Sequence, residues 1–228
     1  MAPMTATTPA TPPATAASHK VLKRDAFGAI HLCQDGNRIW IRRDLRQVRW
    51  WLRPLAGIAA AREARVLRRL DSLDGVPQLL DQRPGLLERS HISGLPMQEG
   101  RPTDPDYFRR ARHLLRALHA RGIAHNDLAK EPNWLVRDDG TPAIIDFQIA
   151  TVRRPGCRSR WFRLLMREDL RHLLKHKRMY CPQALTPVEK RLLAHSSWLS
   201  RAWRRSGKRV YNWLTRRILR WQDNEGRG

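Results

Sequence analysis

The chain has 228 residues and carries 44 Lys and Arg against 21 Asp and Glu, giving a formal charge of +23 and a pI near 11.5. That length accommodates one generous domain or two small lobes sharing a cleft, and the field attracts nucleotides, nucleic acid and anionic lipid without distinguishing them. Three scattered cysteines, Cys33, Cys157 and Cys181, form no CxxC pair, which argues against a disulfide framework or a cysteine-rich zinc site and fits a reducing, cytoplasmic compartment; no apolar run reaches the roughly 18 residues of a spanning helix.

Residues 1–18, MAPMTATTPATPPATAAS, hold no charged side chain and lack the basic flank and apolar run of a signal peptide, so a disordered Ala/Thr/Pro tail is expected. Strand patterns follow in VLKRDAFGAIHL and RIWIRRD, joined by a turn at Gln34-Asp35-Gly36-Asn37, an Asp-Gly hairpin signal. From Pro54 to Leu70 the Ala, Leu, Arg and Glu composition with Pro at the start predicts a helix. GVPQLLDQ and GLLERSHISGLP are short apolar runs punctuated by Gly and Pro, read as further strands. Asp104 to Gly122 spaces Phe108, Ala111, Leu115 and Leu118 along one face and stops at Gly122, a helix that delivers the chain into HNDLAKEPNWLV. After Asp146 a basic linker leads to the helix WFRLLMREDLRHLLKHK, and two basic helical stretches, TPVEKRLLAHSSWLSRAWRR and KRVYNWLTRRILRWQ, close the chain. Trp40, Trp50, Trp51 and Trp134 stand in or near core patterns, and no nucleic-acid motif of recognised spacing accompanies them.

The middle of the chain concentrates chemistry. A loop presents Asp127 and Asn133, a short strand Trp134 to Val136 follows, Asp138-Asp139-Gly140 turns it back, and the returning strand brings Asp146 beside the loop. Two carboxylates and one amide are hard oxygen donors of the kind that hold Mg²⁺ against a substrate phosphate. A carboxylate with no metal to bind can accept a proton from an attacking hydroxyl.

His125-x-Asp127-Leu128, Asn133-x-Leu135 and Ile144-Ile145-Asp146-Phe147 together resemble the catalytic loop and metal-binding motif of the protein-kinase-like superfamily. Among its branches the chain is most similar to small bacterial serine/threonine or RIO-like kinases, near the lipopolysaccharide core sugar kinases, over Val21 to Lys177. The resemblance implies a two-lobed α+β fold: a small β-rich N-lobe at 19–92, a minimal helical C-lobe with the catalytic loop at 93–185, and basic C-terminal helices at 186–228. It implies ATP and Mg²⁺ as cofactors and transfer of the γ-phosphoryl group to a hydroxyl. By the same resemblance Asp127 orients the acceptor, Lys130 stabilises the transferred phosphoryl, and Asn133 and Asp146 hold the metal. Arg42 takes the place of the phosphate-binding lysine with Glu63 as its helix partner, Gly28 belongs to the nucleotide-covering loop, and Glu88, Ser90 and His91 belong to the hinge that binds adenine. Asp169 would brace the catalytic loop.

The sequence departs from the family pattern at four places. Asp127 and Asn133 are six residues apart, one more than usual, which requires a bulge around Glu131-Pro132. Arg42 is a planar fork where a point ammonium is customary. The covering loop is reduced to Phe27-Gly28, and Gln148 replaces the glycine after Phe147. Only about a dozen residues separate Asp146 from the next helix, too few for a peptide-recognition platform, so a saccharide acceptor stands beside a protein Ser/Thr acceptor. Two other classes stay open: a nucleotide-binding pseudokinase module, and a basic polyanion- or membrane-binding protein on the same fold. The last helix, with Val210, Tyr211, Leu214, Ile218 and Trp221 on one face and arginines around it, fits an anionic membrane surface or a cap on the second lobe.

Overall fold

The computed structural model describes residues 18–25, 28–153 and 159–194. Strands β1 (Ser18–Asp25), β2 (Gly28–Asp35) and β3 (Arg38–Asp44) run as an antiparallel meander, the second turn falling at Gly36 with φ +54°. Helix α1 (Arg53–Arg69) follows, then β4 (Leu79–Arg83) and β5 (Leu86–Ser90). The five strands form one sheet in the order β1-β2-β3-β5-β4, so β5 inserts between β3 and β4. Helix α1 starts with Pro in its first turn and places Arg68 and Arg69 at its C-terminal end, where cations complement the helix dipole. Its inner face is built from Ala56, Ala60 and Ala64, which pack with Leu45, Val48, Leu52 and Leu87 into a small core. Small residues bring the helix close to the sheet, and each buried Leu adds about 1.5–3 kcal/mol.

The rest is mostly helical. After β6 (Leu95–Pro96) and the single turn α2 (Met97–Gly100) comes α3 (Pro105–Ala120), capped by the Asp104 carboxylate, which accepts from the Asp106 amide. The short strands β7 (Ile123–Ala124), β8 (Trp134–Val136), β9 (Pro142–Ile144) and β10 (Thr151–Val152) pair as β7 with β10 and as β6-β8-β9. Helices α4 (Arg160–Tyr180) and α5 (Pro187–Ala194) complete the described chain. A second, larger core joins the C-terminal end of α1 (Val66, Leu67, Leu70) to Phe108, Leu115, Leu118, Trp134, Phe147 and Leu173, so α1 is anchored in both parts of the molecule. Among the described residues no helix is long and apolar enough to cross a membrane.

The expected elements from Val21 to Lys177 are present, with GLLERSHISGLP divided into β5 and β6. The tail at 1–17, Phe27, Cys157 and all residues after Ala194, including the helix expected at 208–222, lie outside the described residues. One expectation fails on packing: Trp134 is fully buried, but Trp50 is 79% exposed and Trp51 39%. Trp50 sits in the turn before α1, where Leu52 and Val48 take the core positions.

Candidate active site

The loop between β7 and β8 is fixed by a carboxylate from α4. Asp169, fully buried, accepts the backbone N–H of His125 at 2.8 Å and of Asn126 at 2.9 Å, and its Oδ2 lies 3.2 Å from His119 Nε2 on α3. Asn126 has φ +69°, a left-handed conformation that Asn tolerates better than most residues. Its side-chain amide donates to the Ile149 carbonyl and the Thr151 hydroxyl, holding the conformation from the far side. The His125 ring lies 4.8 Å from that of Phe147, and its Nε2 is 3.0 Å from the Ile145 carbonyl. Burial lowers the His125 pKa despite the nearby carboxylates Asp169, Asp146 and Asp127, so the ring is a neutral structural link between the two motifs. Further along, His176 Nε2 meets the Leu128 carbonyl at 2.8 Å and the Tyr180 hydroxyl donates to Glu131 at 2.7 Å.

The extra residue between Asp127 and Asn133 is absorbed locally. Glu131–Asn133 winds into a turn of 3₁₀ helix, with Pro132 inside it where no amide donor is needed. The Asn133 side chain then reaches back, donating to the Asp127 carbonyl at 2.9 Å and to Asp127 Oδ2 at 3.1 Å. Its backbone carbonyl accepts from Ile145 at 3.0 Å, which sets Asp146 one residue beyond that bond. Asp127, Asn133 and Asp146 are thus brought to one hairpin mouth. Lys130, its side chain 65% exposed, pairs with Asp127 Oδ2 at 2.9 Å. Asp146 has φ +67°, and its Oδ1 accepts from Gln148 at 2.6 Å. The residue that replaces the usual glycine therefore orients the carboxylate.

The cations facing Asp146 differ from those expected. In β3 alternate side chains point to opposite faces; Arg42 sits opposite Glu88 and bonds to it at 2.6 Å, alongside the Trp40 indole at 3.2 Å. Glu63, fully buried on α1, pairs instead with Arg89 of β5. The expected Arg42–Glu63 pair is not formed, because the two residues lie on opposite faces of the sheet. Arg43 shares the Arg89 face and is 4% exposed. Burial lowers the Arg89 pKa to about 10, Arg43 pushes the same way and Asp146 opposes, so the guanidinium stays charged at neutral pH. Burial raises the Asp146 pKa, but Arg89, Arg43, Gln148 and His125 together outweigh it, and the carboxyl sits below its usual value. The parity of LLERS, with Leu87 buried two residues before Arg89, is the signal in the sequence that singles out Arg89.

Where the resemblance places the hinge, Glu88 lies inside the sheet between β3 and β4, and its side chain is taken up by Arg42 and Trp40. Ser90 is also engaged: its N–H bonds to the Gln78 carbonyl at 2.8 Å and its hydroxyl accepts from the Gln78 amide at 2.8 Å. Backbone groups free to meet a base therefore begin after Ser90. Burial lowers the His91 pKa. Ser90 and His91 line an open cavity of about 780 Å³ with Gly75, Asp74, Arg137 and Asp138. Asp127, Asn133 and Asp146 do not line it, so the site is defined by its hydrogen bonds rather than by that concavity. Gly28 has φ +121°, and a Cβ there would stand 2.4 Å from the Asp44 carbonyl, so its backbone closes against the end of β3.

No protein-family model and no curated protein matches the sequence. Among solved structures the fold matches the Rio2 kinase from Chaetomium thermophilum with a TM-score of 0.57 at 16% identity, over 79% of this chain. The chain has a protein-kinase-like fold. It spans 63% of the length of that kinase chain. Within the kinase-like fold, α3 feeds the loop that carries Asp127, and the β8–β9 hairpin carries Asn133 and Asp146 at its two ends.

Proposed function

We propose that the protein is an ATP- and Mg²⁺-dependent phosphotransferase, with residues 19–92 as the nucleotide-covering lobe and 93–185 as the lobe carrying the catalytic loop. The observation that carries this reading is the convergence of Asp127, Asn133 and Asp146 through the Asn133 amide and the Ile145–Asn133 backbone bond. Asn133 spends its NH₂ on Asp127, which leaves its carbonyl oxygen as a hard donor, and Asp146 is ionised. That donor set fits Mg²⁺ completed by phosphate oxygens. When bound there, Mg²⁺ would neutralise charge on the nucleotide phosphates. The acceptor hydroxyl is held at Asp127; as its oxygen bonds to the γ-phosphorus and the bond to the ADP oxygen breaks, Asp127 receives the proton. Lys130 supplies positive charge beside the transferred group. Arg89, locked to Glu63, and Arg43 take the cationic part first expected of Arg42, and Gly28 and the backbone beyond Ser90 cover the nucleotide.

A saccharide hydroxyl is the favoured acceptor over a protein serine or threonine. β10 already pairs with β7 five residues after Asp146, and α4 begins at Arg160, leaving little chain for a peptide platform. Incubating the protein with γ-labelled Mg-ATP and cell extract, then separating saccharide from protein fractions, tests this directly. Label in a saccharide fraction, absent with Asp127→Ala, supports the reading; label confined to protein supports a Ser/Thr acceptor; no transfer to either contradicts phosphotransfer. The full engagement of Arg42, Glu88 and Ser90 within the sheet favours one second reading, a nucleotide-binding regulatory module. Nucleotide-induced stabilisation without turnover, unaltered by Asp127→Asn, would identify it.

A further inference from the structure

Among the described residues nothing packs on the outward side of α1, and that side has a particular composition. Trp51, Leu55, Ile58, Arg62 and Arg65 recur at intervals of three and four residues, so they form a single stripe along the helix and the turn before it. Trp50 is 79% exposed, Ile58 58% and Leu55 51%, with Trp51 beside them. Arg46, Arg49, Arg53, Arg62 and Arg65 are exposed around this apolar strip. The stretch from Leu45 to Leu70 contains one acid, Glu63, which is fully buried against Arg89 on the opposite side of the helix. The face that this stretch contributes is therefore apolar along its middle, cationic at its borders and without an exposed carboxylate of its own.

We infer that this face of α1 docks on an anionic lipid bilayer, with Trp50, Trp51, Leu55 and Ile58 entering the headgroup boundary and Arg49, Arg62 and Arg65 meeting lipid phosphates. Charge complementarity selects the occupant. A protein partner would need a matching acidic rim around an apolar groove, whereas an anionic leaflet offers a continuous negative plane over an apolar interior. Indole rings are suited to that boundary because one edge is apolar and the N–H stays wet. Nucleic acid would engage the arginines and stack on the indoles but offers nothing to Leu55 and Ile58. The surface lies on the helix that carries Glu63, so docking would set the sheet-and-helix part of the molecule against the membrane.

The full chain is tested by co-sedimentation with vesicles of phosphatidylcholine alone and with added phosphatidylglycerol, together with amide hydrogen exchange on the vesicles. Binding only to the anionic vesicles, falling steeply with salt, and slowed exchange across residues 49–62 are expected. Trp50→Ser with Ile58→Ser should weaken binding roughly tenfold or more, and Arg62→Gln with Arg65→Gln roughly thirtyfold, at unchanged melting temperature because all four side chains are exposed. Exchange unaffected at 49–62, or equal binding by both double variants, overturns the proposal, since another surface would then carry attachment. Protection of 49–62 that appears without lipid and grows with protein concentration assigns the face to a second copy and overturns it too. So does tighter binding to a DNA oligonucleotide than to anionic vesicles at the same salt, lost in the Trp50→Ser, Ile58→Ser variant.

Discussion

Asp169 is the residue through which α4 holds the loop that carries Asp127, and its removal has a size that the structure allows to be worked out. Its carboxylate is fully buried and accepts two backbone N–H groups, from His125 and Asn126, at 2.8 and 2.9 Å. Asp169→Ala leaves the buried His125 N–H and the part-buried Asn126 N–H without their acceptor, at up to about 1–3 kcal/mol each, and releases Asn126 from one of the restraints on its positive φ. The expected loss is roughly 3–6 kcal/mol, a large share of the 5–15 kcal/mol typical of a domain. Asp169→Asn keeps one acceptor oxygen and turns an NH₂ toward the other donor, so roughly 2–3 kcal/mol is expected. Urea unfolding gives these numbers, and phosphoryl transfer measured on the folded fraction of the Asn variant gives the functional part. Because the loop is displaced rather than dismantled, turnover should fall further than nucleotide affinity. A loss below about 1 kcal/mol for Asp169→Ala would refute the reasoning, as would an Asn variant with unchanged turnover.

Two other outcomes follow from the charged interior. Glu63→Ala strands Arg89 in the core and should cost about 3–5 kcal/mol, while Arg42→Ala breaks a partly exposed pair worth about 0–1 kcal/mol; Mg-ATP affinity should follow Arg89 rather than Arg42, and equal effects in titration calorimetry would return the nucleotide-facing role to Arg42. His172, largely buried on α4, has its pKa drawn down from 6.5 to about 4 by burial first and then by Lys175, against Asp169 and Glu168. The unfolded chain therefore takes up this proton before the folded one, and the linked stability is level above pH 6.5 and is lost as pH falls from 6.5 toward 4. His172→Gln should flatten that acid-side decline by on the order of 3 kcal/mol, while His91, His125 and His176 add contributions of the same sign. Parallel stability–pH curves for the wild type and the variant would contradict this.

The parts of the fold that were legible are those where one periodicity dominates. The Ala-rich inner face of α1, the Phe108-Ala111-Leu115-Leu118 stripe of α3 and the Asp-Gly hairpin each leave one reading of the letters. The motif residues Asp127, Asn133 and Asp146 stood out because several specified side chains fall in order around a short hairpin, whereas Asp169 was pointed to by the family resemblance alone, and its burial beneath the two backbone donors is visible only in the structure. Arg42 was misread because RIWIRRD shows no clean alternation: Ile39 is 41% exposed while Trp40 is half-buried, so hydrophobicity does not say which of two adjacent arginines faces α1. The partner across the sheet decides it, and that partner is set by the insertion of β5 between β3 and β4, a long-range feature without a local signature. The bulge expected around Glu131-Pro132 takes the form of a 3₁₀ turn, but the bond from Tyr180 to Glu131, 49 residues away, has no local signature and was hidden. Trp50 is exposed because Val48 and Leu52 on either side fill the core first.

The most direct measurement of the central claim is the initial rate of Mg²⁺-dependent ATP consumption in the presence of the unphosphorylated acceptor fraction, for wild type, Asp127→Ala and Asp146→Ala at matched melting temperature. Convergence of these carboxylates into one phosphoryl-transfer site predicts losses of roughly 10²–10⁴-fold or more in each variant, the range over which a positioned proton acceptor acts, with Mg-ATP affinity weakened in Asp146→Ala and retained in Asp127→Ala. Equal rates in all three proteins, with no nucleotide affinity in any, would contradict it.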